Sequence, residues 1–299
     1  MRVTLRQLQI FIAVAESGST AAAAELVALS QSAASASLKE LEHVLQTELF
    51  DRVGKRLKLN DNGRQLLPQA RQMLDAAATV ERQFGGQADA SGLLLGASTT
   101  IGNYLLPQIL AVAGPYRIGS HPVVTIANTA EIAAAVASFQ LDLGLVEGPS
   151  HEADLIVEPW LSDELLIVAS PSHPVLEKGR QTRVRIQALR EAGWLLRERG
   201  SGTRETVEHV LLPHLHELRP AAEFSSAEAI KHAAAAGLGL ACMSRLVAQD
   251  LLATGALASV QTALPPLSRH LYLIRHRHKV LSSRLQHFLQ LCRDWRQTG

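Results

Sequence analysis

Ser30-Gln31-Ser32-Ala33-Ala34-Ser35, then Leu49-Phe50-Asp51-Arg52, then Lys55-Arg56-Leu57-Lys58-Leu59-Asn60-Asp61-Asn62-Gly63 form the stretch that decides the fold. Ser30 is a good N-cap for a helix whose apolar residues Ala34, Leu38, Leu41 and Leu45 recur along one face. Its other side opens on Gln31, Ser32 and Ser35 and continues with Ser37 and Lys39, short hydrogen-bonding side chains suited to base edges and phosphates. Arg52, Lys55, Arg56 and Lys58 place four cations in seven residues around Gly54, as in a hairpin whose tip meets phosphate. Toward the N-terminus, Leu5, Leu8, Ile12 and Ala15, with Phe11 beside them, mark one helical stripe. Ser17-Gly18-Ser19 breaks it, Ser19 or Thr20 caps a second helix over Ala21 to Leu26, and the alanines at 21–24 suit a close crossing. A serine-lined face or a basic run, taken singly, is solvated surface. Helix, short helix, turn, polar-fronted helix and basic hairpin in that order spell a winged helix-turn-helix over residues 1–60, with the third helix in the major groove of DNA. The expected DNA contacts are Gln31, Ser32, Ser35, Ser37, Lys39, Arg52, Lys55 and Arg56.

Bulk charge does not announce this. The 299 residues carry a formal net charge of +1, and residues 1–90 balance ten Lys/Arg against ten Asp/Glu. DNA contact must come from local patches. Downstream, Leu66, Ala70, Met73, Ala77, Val80 and Phe84 follow spacings of 4 and 3 up to Gly85-Gly86. That is a heptad seam on a helix of roughly 37 Å, too long to pack inside a domain of this size. Residues 61–90 are therefore expected to form a linker helix that pairs with a second copy, the alternative being an amphipathic helix laid on its own domain.

From residue 91 to 299 the pattern changes to short apolar runs alternating with helices. Strands are expected at Leu93–Gly96, Val123–Ala127, Leu143–Val146, Leu155–Val157, Leu165–Ala169, Trp194–Leu196, Leu238–Met243 and Leu271–Ile274. This indicates a doubly wound α/β fold, in which ligands sit beyond strand ends at helix N-termini. Three loops fit: Ser98-Thr99-Thr100, Asn128-Thr129-Ala130 and Ser201-Gly202-Thr203, the last flanked by Arg197, Arg199 and Arg204. Hydroxyls and helix-start amides are donors, so the natural guest is an anion. Glu147, ending a strand, argues against a highly charged guest unless guest or glutamate is protonated. Each loop alone is also an ordinary N-cap.

Other chemistries find little footing. Among twelve histidines, His276 and His278 lie in a cationic run and His214 and His216 are two apart, so no metal site is expected. Cys-x-x-Cys, His-Glu-x-x-His, Gly-x-Ser-x-Gly and Walker patterns are absent, and Gly237-Leu238-Gly239 lacks the third glycine of a dinucleotide loop. Neither an enzyme nor a cofactor is expected. Cys242 and Cys292 read as reduced core thiols. No apolar leader or membrane-length run is seen, so the expectation is a cytoplasmic protein without a membrane partner.

The motifs resemble those of the LysR-type bacterial transcriptional regulators over the whole chain. The resemblance rests on Ser30-Gln31-Ser32-Ala33-Ala34-Ser35, Leu38, Leu41-Glu42 and Leu49-Phe50-Asp51-Arg52. Gln46 replaces a usual glycine, Asn60-Asp61-Asn62 replaces a Thr-x-Ala, and Ala36 stands where a large basic or polar side chain is frequent. The resemblance implies a periplasmic-binding-protein-like effector domain of two subdomains, about 91–161 with 268–299 and about 162–267, crossing near 162 and 267. It implies an effector cleft at Ser98, Thr99, Thr100, Asn128, Thr129, Glu147, Ser201, Gly202 and Thr203. The partners implied are duplex DNA, a second copy in a homodimer or a tetramer of two dimers, and RNA polymerase. Gly96 to Pro107 looks most like the branch that regulates carbon fixation and sulfur metabolism, which favours a small anion such as sulfite or sulfate over a bulky aromatic acid, with a small organic acid as the alternative effector. A transporter's solute-binding protein is the alternative of another class, and residues 1–90 argue against it.

Overall fold

The computed structural model describes residues 2–54, 56–84, 92–114, 122–148, 150, 152–177 and 183–295, the side chains of 82–84 excepted. Lys55, the Phe84 side chain and Gly85-Gly86 lie outside the described residues. The chain divides into two compact units, Met1–Ala88 with His278–Ser282, and Asp89–Arg277 with Ser283–Gly299.

The first unit holds α1 (Leu5–Ser17), α2 (Thr20–Leu26), α3 (Gln31–Leu45), the hairpin β1 (Phe50–Val53) and β2 (Arg56–Leu59), and α4 (Asp61–Phe84). Each short helix starts on a side-chain cap. Thr4 accepts from the Gln7 amide while the Gln7 side chain accepts from the Thr4 amide, and Ser19 and Ser30 accept from the amides of Ala22 and Ala33. Asn60 caps α4 through the Gly63 amide at 2.9 Å. Gly63 itself is required, since a Cβ there would stand 2.2 Å from the Leu49 carbonyl oxygen. Gln46 ends α3 with φ of 52°, a left-handed turn that glycine adopts with less strain.

The expected stripe on α1 holds in part. Leu5 is 42% exposed, and Ile12 and Ala15 are half-buried against the core; Leu8 and Phe11 are buried as expected, and with Ile10 and Val14 they form the inner face. They pack with Ala23, Ala24, Ala34, Leu38, Leu41 and Phe50, the Phe11 and Phe50 rings 5.6 Å apart. Across the unit Phe11 meets Phe50, a partner that periodicity within α1 does not name. The expected seam of α4 divides likewise. Ala70 is fully buried in this core and Leu66 packs against it, so neither lies on a free seam, whereas Met73 and Val80 stand 54% and 57% exposed. Ala77 is half-buried.

The second unit is built on a seven-stranded sheet and a two-stranded one. Its elements are β3 (Leu94–Ser98), a π-type turn (Ile101–Leu105) leading into α5 (Leu106–Ala113), β4 (Val123–Ala127), α6 (Thr129–Ala137), β5 (Leu143–Glu147), β6 (Leu155–Ala169), α7 (Pro174–Glu177), α8 (Ile186–Glu191), β7 (Gly193–Arg197), α9 (Gly202–Leu215), β8 (Arg219–Phe224), α10 (Ala227–Ala235), β9 (Ala241–Ser244), α11 (Arg245–Ala253), β10 (Ala258–Ser259), β11 (Leu267–His276) and α12 (Ser283–Asp294). The strand order is β10-β6-β11-β5-β3-β4, with β9 also on β6. β3, β4 and β5 are parallel, as are β7 and β8, and Trp194 bridges to Leu240 beside β9. The long antiparallel pair β6 and β11, in register from His276 opposite Leu155 to Leu267 opposite Leu165, joins these parallel pieces.

The expected strands at 155–157 and 165–169 are thus one strand. Pro159 lacks the ladder donor and sits at a register shift that the pair absorbs between Leu271 and Tyr272, so it bends β6 without ending it. The expected strand Leu238–Met243 begins at Ala241, after the turn at Gly237 with φ of 87°. β8 and β10 are additional to the expected set.

Candidate functional site

The face expected to meet nucleic acid is built by α3 and the hairpin of the first unit. Leu38 and Leu41 anchor α3 and leave Gln31, Ser32, Ala36 and Lys39 exposed. Ser35, Lys39 and Arg52 line one concavity with Thr20, Glu42, Glu48 and Asp51. Glu42 turns back to accept the Leu49 amide at 2.9 Å and so fixes the start of the hairpin against α3. Arg56 and Lys58 are exposed on β2. Ser37 is half-buried and is not among the residues of that concavity.

In the second unit the three expected loops converge on the end of β5. Glu147 is 1% exposed. Its carboxylate accepts from the Thr100 amide, from the Thr203 hydroxyl, and from Nη1 of Arg269 at 3.0 Å. Thr129 Oγ1 donates to the Glu147 carbonyl at 3.5 Å, and the Ala130 amide donates to the Gly200 carbonyl at 3.1 Å. A Cβ on Gly202 would stand 1.7 Å from the Glu147 carbonyl oxygen, so only glycine lets α9 start here. Asn128 and Ser201 act as N-caps, accepting from the amides of Glu131 and Arg204.

Arg269 is not among the expected site residues, yet it is the centre of the cluster. Fully buried, it reaches Asp163 at 2.7 Å, Thr203 Oγ1 at 2.8 Å and Thr100 Oγ1 at 3.2 Å as well as Glu147. Ser244 donates to the other oxygen of Asp163 at 2.7 Å. The signal for Arg269 and Asp163 is present in the sequence: each lies in phase with buried residues of its strand, Leu271 and Leu273 for the one, Leu165 and Ile167 for the other. A charged residue in a buried phase must have a partner.

Burial alone pushes the Glu147 carboxyl up, but the Arg269 charge and the hydrogen bonds from Thr203, Thr100 and Ser98 outweigh it and hold the group below the usual carboxylate range. Glu147 is thus held ionised, with the Arg269 guanidinium supplying the compensating charge. The flanking arginines are partly engaged elsewhere. Arg197, 4% exposed, donates to Thr99 Oγ1 at 2.8 Å and pairs with Glu198. Arg204 pairs with Glu208 and Glu223, while Arg199 is exposed. Just beyond Thr100, the π-type turn presents Tyr104, whose hydroxyl donates to Glu228 and accepts from Lys231 at 3.0 Å. The two cysteine thiols are pushed up to about 12 by burial, which keeps them protonated. Among the described residues no helix is long and apolar enough to cross a membrane.

Residues 5–64 match the bacterial regulatory helix-turn-helix proteins of the lysR family, and residues 86–297 match the LysR substrate binding domain. The chain is 46% identical over 295 residues to the uncharacterized HTH-type transcriptional regulator YeiE of Escherichia coli, with 98% of each covered. A full-length OxyR variant from Pseudomonas aeruginosa superposes with a TM-score of 0.72 at 22% identity, covering 98% of this chain and 96% of that one. The regulatory domain of Synechocystis CcmR in complex with 2-PG is 28% identical, covers 67% of this chain and 94% of that one, and gives a TM-score of 0.59. Helix-turn-helix and effector-domain matches together span the chain, which belongs to the LysR family of transcriptional regulators, proteins that bind DNA, form oligomers, respond to small-molecule effectors and are not enzymes.

Proposed function

We propose that this regulator reads duplex DNA with α3, holds phosphate with the β1–β2 hairpin, and is switched by a small oxyanion of sulfur, sulfite or sulfate, held where the helix starts at Thr99, Thr129 and Gly202 converge. The observation that carries the anion reading is the Glu147 carboxylate itself. A backbone amide, a hydroxyl and a guanidinium already hold one oxyanion here. The same kinds of group at Ser98, Thr99, Asn128 and Ser201, with the positive ends of α6 and α9 beside them, suit a second. Buried Glu147, Asp163 and Arg269 together carry one net negative charge, which disfavours the sulfate dianion more than singly charged hydrogensulfite and makes sulfite the better guest of the two. The bound effector shifts the two halves of this unit against each other around β6 and β11, and so alters how paired DNA-binding units meet two half-sites. The exposed Met73 and Val80 of α4 form the contact with a second copy. Two such dimers make a tetramer, and RNA polymerase is the partner at the promoter.

The second reading is a small organic acid as effector, favoured by the CcmR domain solved with 2-PG. A thermal-shift panel of sulfite, sulfate, thiosulfate, phosphate and simple carboxylates on the full chain separates the two. Ligand at about 100 times its dissociation constant adds roughly 2.7 kcal/mol, an easily read upward shift. A selective shift with a sulfur oxyanion that also changes DNA affinity supports the first reading. A shift with carboxylates alone supports the second, and no shift with any of them removes the small-anion site.

A further inference from the structure

We propose that Ala36 reads the 5-methyl group of a thymine in each half-site. The inference rests on α3 being the helix that enters the major groove. α3 buries Ala34, Leu38 and Leu41. At about 100° per residue, Ala36 lies almost diametrically opposite that stripe. It is exposed, with Ser32 one turn before it and Lys39 one turn after it, both also exposed. Ser32, Ala36 and Lys39 therefore form the outermost ridge of the helix, the part that reaches deepest when the buried stripe faces its own domain.

Two of the three ridge residues hydrogen-bond. The Ser32 hydroxyl can donate or accept, and the Lys39 ammonium donates. Ala36 offers only a methyl group. Set against a guanine N7 or O6, an adenine N7 or a cytosine amino group, that methyl would strip water from a polar edge and give nothing back. Thymine alone presents an apolar group in the major groove. A thymine methyl against Ala36 loses no hydrogen bond and removes apolar surface from water, and Ala33, exposed one turn before Ala36, extends the apolar patch. The small side chain is thus a positive choice of base at this point of the ridge.

The test alters the DNA before the protein. Duplexes are selected from a randomised pool by the full-length protein, and the tightest is remade with each thymine in turn replaced by deoxyuridine, which removes the methyl and nothing else. One position in each half-site is expected to weaken binding about fourfold, the factor that one buried methyl group supplies. The same replacement should cost Ala36→Ser much less, because that variant keeps the helix but presents a hydroxyl to the site. Ala36→Lys should steepen the salt dependence by about one phosphate contact. If deoxyuridine is tolerated everywhere while Ala36→Lys still changes affinity, α3 lies in the groove but Ala36 does not read thymine. If Ala36→Lys changes neither affinity nor salt slope, the placement of α3 in the groove fails as well.

Discussion

Arg269 and Glu147 face each other at 3.0 Å with side chains 1% exposed, the most deeply buried ion pair among those described. The pair joins β11 to the end of β5, and Arg269 carries the link on to Asp163 of β6. Removing one partner of such a pair costs more than the pair contributes, because a naked charge is left in the core. Arg269→Ala strands two carboxylates and is expected to destabilise the effector unit by roughly 3–5 kcal/mol in urea unfolding. Glu147→Gln leaves Arg269 paired with Asp163 and should cost distinctly less. The acid side follows from the direction of the Glu147 shift. Its folded-state pKa lies below its ordinary value, so its contribution is fully present above the ordinary carboxylate range and fades as pH falls through that range toward the lowered value. Stability of the wild type should therefore drop more steeply between about pH 5 and pH 3 than that of Glu147→Gln. Parallel acid limbs would mean that Glu147 is not held ionised.

Gly202 provides a sharper probe of the same region, because its neighbour is backbone. Gly202→Ala would drive a Cβ into the Glu147 carbonyl oxygen and Thr129 Oγ1, and the start of α9 must move off β5 to admit it. A loss of about 1–3 kcal/mol is expected, the usual range for overpacking, together with a weakened effector response. Gly255→Ala is the control: its φ of 74° is strained for alanine, but nothing lies within 4 Å. Its cost should stay near 1 kcal/mol, with the response intact. Equal effects of the two on the response would show that the packing of α9 on β5 is not part of the switch.

How much of this is legible in the sequence depends on the range of the interaction that decides each feature. The caps Ser30 and Asn60 are local, and local pattern is enough to place them, including Asn60 in a position where the family usually has another residue; for α2 it narrows the cap to Ser19 or Thr20, and the cap is Ser19. The expected stripe on α1 places Leu8 and Phe11 inward but does not say that Phe11 meets Phe50, some forty residues away. β6 reads as two strands split at Pro159 because its continuity is supplied by β11, more than a hundred residues later. Thr100, Glu147 and Thr203 can be grouped from sequence, since each ends a strand or begins a helix. Arg269 escapes because the apolar run of its strand starts only at Leu271, two residues later, which hides that the buried phase includes a charge.

The exposed half of α4 makes a prediction that separates dimerisation from folding. Met73→Asp with Val80→Asp places charges on side chains that are 54% and 57% exposed. The double variant should retain the thermal stability of the DNA-binding unit yet sediment as a smaller species than wild type. Ala70→Asp, by contrast, buries a carboxylate among Phe11, Leu38 and Leu41 and should unfold that unit. A double variant that sediments like the wild type would place the contact between copies elsewhere.

Arg52 and Ser35 share one concavity yet should fail in different ways. A guanidinium on phosphate releases counterions, whereas a serine hydroxyl on a base edge or sugar does not. Arg52→Ala is expected to weaken binding to every duplex by a similar factor and to reduce the slope of log affinity against log salt by about 0.9. Ser35→Ala should weaken selected DNA more than random DNA and leave the slope unchanged. Asp51, Glu42 and Glu48 line the same concavity, so phosphate is expected to approach it at Lys39 and Arg52. Anisotropy titrations at four or five salt concentrations measure both quantities. An unchanged slope for Arg52→Ala would take the hairpin off the phosphate backbone, and equal losses on selected and random DNA for Ser35→Ala would take Ser35 off the base edges.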